Sequence, residues 1–277
     1  MIKKTYLFIR QIQKKSSDDN ISALSAQLTY FLLLSFFPFV MFLLTLLSYT
    51  PITQKEVLAA IGEVFPLEIQ GVMNALLREI ANNQSNALLS ITVVITIWSA
   101  SKGVLAIVRG LNVAYDIAET RSFLFLRLTS FIYTIIFALI IILTFILLIF
   151  GNSILTLILN LFPYTLSFIN VMQTVRYLVS ILLLFVFFII IYNAIPNRKI
   201  SLSEVIPGAL FASLGWIIVS ISFSYYIDNF GNFSYMYGSL AGIIILLLWL
   251  YICSNIIMIG GEINALLAQK KNIKNSS

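Results

Sequence analysis

The 277-residue sequence contains no histidine and one cysteine, Cys253. Without histidine there is no imidazole to act as general base or metal ligand. One cysteine cannot form an intramolecular disulfide or build a zinc or iron–sulfur centre. Charge is scarce too: Asp, Glu, Lys and Arg make up 10% of the chain, against 60% hydrophobic residues. A soluble domain of this length could not hide so much apolar surface behind so few charges. Glycine-rich phosphate loops are also missing, since Gly260-Gly261-Glu262 lacks both their spacing and the Lys followed by Ser or Thr. ATP-driven pumping by this chain alone is therefore not expected, and no cofactor, metal or catalytic constellation is expected either.

In place of these features the chain has long apolar runs. Residues 131–150 carry no charge, and residues 171–191 are charged only at Arg176. Similar runs occupy 28–49, 87–108, 205–226 and 238–259. A helix needs about 20 mostly apolar residues to cross about 30 Å of hydrocarbon. The runs are continuous, whereas a barrel would show alternating segments of about ten residues. The expected fold is all-α: a polytopic membrane bundle of six transmembrane helices with amphipathic outer connector helices. Its expected layout is an amphipathic segment over residues 1–20, one six-span membrane domain over 21–268, and a tail over 269–277.

The net charge of +6 is distributed along this topology. With the N-terminus inside, the inner segments hold thirteen basic residues: Lys3, Lys4, Arg10, Lys14, Lys15, Arg109, Arg121, Arg127, Arg198, Lys199, Lys270, Lys271 and Lys274. The outer segments hold three, Lys55, Arg78 and Arg176, and Lys102 lies within a span. That bias is the positive-inside pattern. It places both termini in the cytoplasm and accounts for the charge without nucleic acid as a partner. The run over 28–49 is too long for a signal-peptide core and has no small-x-small cleavage site after it, so it reads as a retained helix. Apolar and basic positions alternate irregularly over residues 2–15, which suits a short helix on the anionic inner leaflet. Residues 52–86 predict two amphipathic helices joined near Pro66, made acidic by Glu56, Glu63, Glu68 and Glu79. A second connector, 152–173, is interrupted at Pro163.

Polar groups at membrane depth are the candidate functional residues, because burying them costs free energy. Lys102 stands seven residues before Arg109, about 10 Å deeper. Its alternatives are snorkelling to the interface, contact with an anion or headgroup, or pairing with a buried carboxylate, for which Glu262 is the candidate. Asn112 and Asn264 lie near span ends and suit interhelical hydrogen bonding. Trp98, Trp216 and Trp249 fall near span middles, where packing or a cavity wall is expected rather than interfacial anchoring. Lys102, Asn112, Glu262, Asn264, Trp98, Trp216 and Trp249 are together the expected substrate pathway.

Several motifs, in order, carry a family resemblance. They are Ala26-x-x-x-Tyr30-x-x-Leu33 ending at Phe37-Pro38, then Trp98-Ser99-Ala100-Ser101-x-Gly103 followed by Leu111-Asn112-x-Ala114-Tyr115. Tyr192-x-x-x-Pro196, Pro207-Gly208-Ala209 leading to Trp216, Tyr237-Gly238-Ser239-Leu240-Ala241 leading to Trp249-x-Tyr251, and Gly261-Glu262-x-Asn264-Ala265 complete the set. Over roughly residues 5–268 the chain resembles the YihY/virulence factor BrkB family of bacterial inner-membrane proteins. The resemblance implies six spans in the cytoplasmic membrane and no agreed biochemical activity. Some members carry a ribonuclease BN label. This chain has no histidine, no acidic cluster with metal spacing and no soluble domain for tRNA, so it is not expected to be an enzyme. The expected function is transport or handling of a lipid, amphiphile or small ion, with a non-transporting scaffold for envelope assembly as the alternative. Membrane lipids are the expected partners; a second copy or an envelope protein remains open.

Overall fold

The computed structural model describes residues 2–48, 86–161, 166–230 and 238–276. Those residues form seven α-helices and no strand. They are α1 Ile2–Asp18, α2 Ile21–Ser48, α3 Asn86–Ala114, α4 Phe123–Leu161, α5 Leu166–Ala194, α6 Leu202–Phe230 and α7 Ala241–Ser276. A single 3-10 turn, Gly238–Leu240, leads into α7.

The described part of each long apolar run coincides with one of the helices α2 to α7, the last entering α7 through the 3-10 turn. Five of these hold stretches long and apolar enough to cross a membrane: Ile21–Phe42, Ser90–Ala114, Phe123–Thr144, Leu202–Ile227 and Ala241–Lys271. The sixth, α5, contributes the shorter described apolar stretch Leu178–Ala194. This is a polytopic helical membrane protein. Residues 152–161 continue α4 and residues 166–173 open α5, so much of the second connector prolongs the neighbouring spans. The helices expected over 52–86 lie almost wholly outside the described residues.

Consecutive helices pack side by side from α2 to α7, and α7 closes the ring on α2. α7 also contacts α3 and lies innermost, while α1 crosses one end against α7 and α2. Asn20 sets the corner between α1 and α2. Its φ of 51° is left-handed, a conformation asparagine tolerates, and its carbonyl accepts the first backbone bonds of α2 from Ala23 and Leu24. The buried core gathers at this end: Leu28, Leu111, Tyr192, Val205 and Met258 interlock there. Elsewhere Leu139, Leu182 and Ile218 point outward, more than half exposed, as lipid-facing residues do.

Helices α6 and α7 approach each other closely at their glycines. A Cβ on Gly208 would run into the Gly260 carbonyl oxygen, and one on Gly260 would run into the Tyr192 hydroxyl. Missing side chains let these backbones touch, the usual role of small residues between membrane helices.

Candidate functional site

Helix α7 carries Glu262 into the packed end of the bundle, where it is completely buried. Neither carboxylate oxygen has a hydrogen-bond partner. The facing cation comes from α1: Lys15 Nζ stands 3.9 Å from Oε2. Lys15 also bonds Asp19 at 2.9 Å and both oxygens of Asp116 at 3.3 Å. One ammonium therefore sits among three carboxylates. Burial alone would lower the Lys15 pKa, but the Asp19 hydrogen bond and the fields of Glu262, Asp19 and Asp116 outweigh it and raise it.

Two residues further along α7, Asn264 is also fully buried. Its Oδ1 accepts the Gly208 N–H at 2.6 Å, linking α7 to α6, and its side chain faces the Tyr115 hydroxyl. The Ser16 and Ser25 hydroxyls are buried and unpartnered. An unmet buried polar group costs about 1–3 kcal/mol. The packed end thus holds several groups able to bond a polar solute.

Asn112 does a different job. Its Nδ2 donates to Glu119 at 2.8 Å, and its Oδ1 accepts the Asn197 N–H at 2.9 Å. Arg121 grips the same Glu119 at 2.7 and 2.8 Å and donates to the Ile195 carbonyl. Asn197 Nδ2 returns to the Ala118 carbonyl and Thr120 Oγ1. Together these bonds lace connector 115–122 to connector 195–201. The Arg121 hydrogen bonds hold the Glu119 carboxyl down at about 2. Glu119, Arg121 and Asn197 were not among the residues expected from sequence, where Arg121 counted only toward topology and Glu119 was not singled out.

Lys102 and Trp98 lie apart from Glu262, on the side of α3 that meets α4. Trp98 is 54% exposed, with the Arg127 guanidinium 4.4 Å and Lys102 Nζ 6.0 Å from its ring centre. The anticipated Lys102–Glu262 pair is not formed; the cation at Glu262 is Lys15. Helical phase explains this. Nine residues separate Lys102 from Leu111, which packs on α7 at Gly261, and nine residues turn a helix through about half a revolution. Trp216 and Trp249 meet edge to face, 5.6 Å between centres, where α6 packs on α7. Trp249 Nε1 donates to Ser220 Oγ at 3.3 Å. Among the described residues, no three His, Cys, Asp or Glu side chains are grouped to hold a metal ion.

The virulence factor BrkB family profile matches residues 12–277. YfkH of Bacillus subtilis, whose name calls it ribonuclease-like, is 41% identical over 266 residues, covering 96% of this chain and 97% of that protein. A UPF0761 membrane protein of Photobacterium profundum is 39% identical over 90 residues, covering 32% of this chain and 28% of its own length. Another from Pseudoalteromonas translucida is 36% identical over 78 residues, covering 28% and 26%. No solved structure matches the chain. With a profile match running from within α1 to the last residue, and a relative aligned over nearly its whole length, this six-helix bundle belongs to the virulence factor BrkB family of membrane proteins.

Proposed function

We propose that this protein moves or handles a lipid, amphiphile or small ion in the bacterial cytoplasmic membrane, without enzymatic chemistry. The observation that carries this reading is Glu262: a completely buried carboxylate with no hydrogen bond, facing a lysine on a separate helix. Membrane proteins rarely bury such groups unless they serve a substrate, ion or proton path. Asn264 extends the polar route at that end, Asn112 braces it by tying the two connectors, Lys102 and Trp98 flank it from the lipid side, and Trp216 and Trp249 shape the α6–α7 contact further in. The clustering of Arg10, Lys14, Lys270 and Lys271 on the helices at this end supports a cytoplasmic orientation for both termini. The ribonuclease likeness in the YfkH name is not carried over, because the sequence has no histidine to serve as general base.

Liposomes containing the purified protein test the proposal through lipid scrambling and ion flux. Transfer above that of empty vesicles is expected, reduced in Glu262→Gln and Lys102→Met. No transfer of any substrate class, or undiminished transfer in both variants, overturns it. A second reading, a scaffold for envelope assembly, draws on the laced connectors 115–122 and 195–201, which stiffen one end of the bundle. That reading predicts a stoichiometric crosslinked envelope partner and no flux.

A further inference from the structure

The groove between α3 and α4 carries cations without counter-ions. Lys102 and Arg109 lie on one stripe of α3, and Arg127 reaches across from α4. The ion pairs among the described residues are those of Lys15 with Asp19, Asp116 and Glu262, and of Arg121 with Glu119. None involves these three cations. Arg127 lies four residues inside α4, about 6 Å from its start at Phe123, whose side chain is 81% exposed. Its charge therefore sits just within the apolar boundary, where leaving it without an anion is costly.

The order of side chains along the groove matches a lipid. Arg109 is outermost, Lys102 and Arg127 follow, then the rings of Trp98 and Phe131, with Arg127 5.0 Å from the Phe131 ring centre. One turn further in, Ile95 and Ile135 are exposed apolar surface. We propose that this groove binds an anionic glycerophospholipid, its phosphate held by Lys102 and Arg127 and its acyl chain lying along the isoleucines. Arg127 stacked on Trp98 is a fixed donor fork, suited to phosphate oxygens. The occupant is a lipid rather than free phosphate, because the cations open sideways onto lipid-facing helix. This is a binding site on the bundle's flank, and it stands whether or not the protein transports anything.

Tryptophan emission of the full-length protein in lipid nanodiscs tests it, with dibrominated phosphatidylglycerol or dibrominated phosphatidylcholine at equal mole fraction as quencher. Stronger quenching by phosphatidylglycerol is expected, a preference of roughly fivefold for each contacting cation. Trp98→Phe should erase the difference between the two lipids. Lys102→Gln and Arg127→Gln should each reduce the preference about fivefold. Lys199→Gln, an exposed charge on connector 195–201, should leave it intact. Equal quenching by both lipids overturns the proposal, as does a preference that survives both groove variants, or one that Lys199→Gln weakens as much. Excess inorganic phosphate should leave the quenching unchanged, and relief by it would overturn the assignment of the site to a lipid rather than to free phosphate. Should Arg127→Gln lose its helical melting transition, Lys102→Gln and Trp98→Phe decide the outcome alone.

Discussion

Replacing Gly208 with alanine should destabilise the bundle, although alanine is the better helix former. Propensity alone favours the change by about 1 kcal/mol. The new methyl, however, would meet the Gly260 carbonyl oxygen, a backbone atom that cannot swing aside, and would stand 2.6 Å from Asn264 Cγ. Forcing a carbon into such a contact costs about 1–3 kcal/mol. Separating α6 from α7 also weakens the Gly208 N–H to Asn264 Oδ1 bond, which as an interhelical bond contributes about 0.6 kcal/mol. The net expectation is a loss of about 2 kcal/mol. Gly103 supplies the control. A methyl there would meet Leu32 Cδ2 at 3.6 Å and Leu28 Cδ1 at 3.9 Å, ordinary contacts, so Gly103→Ala should gain up to about 1 kcal/mol. The same chemical change at two sites should therefore differ by about 3 kcal/mol, roughly two orders of magnitude in the unfolding constant. Titrating the purified protein from dodecyl maltoside into SDS, with helix content as the signal, measures both. Gly208→Ala at or above wild-type stability, or Gly103→Ala below it, would refute the reasoning.

Other outcomes follow from the connectors. Asn112→Ala removes bonds to Glu119 and to the Asn197 N–H, and should cost about 1–3 kcal/mol and raise protease cutting within 115–122 and 195–201. Glu119 has its carboxyl held at about 2 by Arg121, below the roughly 4.3 of a free glutamate. A lowered folded value means its contribution is complete above the free value and is lost as pH falls through about 2. Pepsin cutting within 115–122 should therefore stay low near pH 4 and climb toward pH 2, and Glu119→Gln should flatten that rise.

Much of the architecture follows from run length and charge placement alone. The six apolar runs are long enough to dictate spans whatever their detailed packing, and the described part of each is helical. The basic bias likewise anticipates one cation-rich end, where Lys15, Arg121 and Lys270 are found. Contacts between distant parts of the chain were not legible. Nothing in the spacing of residues 2–15 says that α1 folds back to set Lys15 opposite Glu262, 247 positions later in the chain. Asn112 was readable as an interhelical amide, but its partners sit on connectors whose paths depend on how three helices end. Lys102 shows both sides of the matter. Its unusual depth was visible, while its direction depended on which face of α3 meets α7, set by Leu111 against Gly261.

The Lys15–Glu262 contact yields an asymmetry that separates an ionised carboxylate from a neutral one. Lys15 holds Asp19 and Asp116 as well as facing Glu262, so Glu262→Gln leaves the lysine paired and should cost little. The reverse deletion is severe if Glu262 is ionised. Lys15→Met removes the cation at 3.9 Å from a carboxylate whose oxygens have no hydrogen bond, stranding a buried charge at about 3–5 kcal/mol. Combining the two changes removes the stranded charge, so the double variant should recover most of that loss. The cycle should therefore show coupling of at least about 1 kcal/mol. Both single variants and the double are measured by the same SDS titration, at low and high salt. Because the pair is buried, salt should change the coupling little, whereas it would erase a surface contact. Coupling near zero, with Lys15→Met as mild as Glu262→Gln, would mean that Glu262 is neutral in the folded protein. The carboxyl would then be a resident proton site, and the attraction between α1 and α7 would have to come from the Lys15 contacts to Asp19 and Asp116.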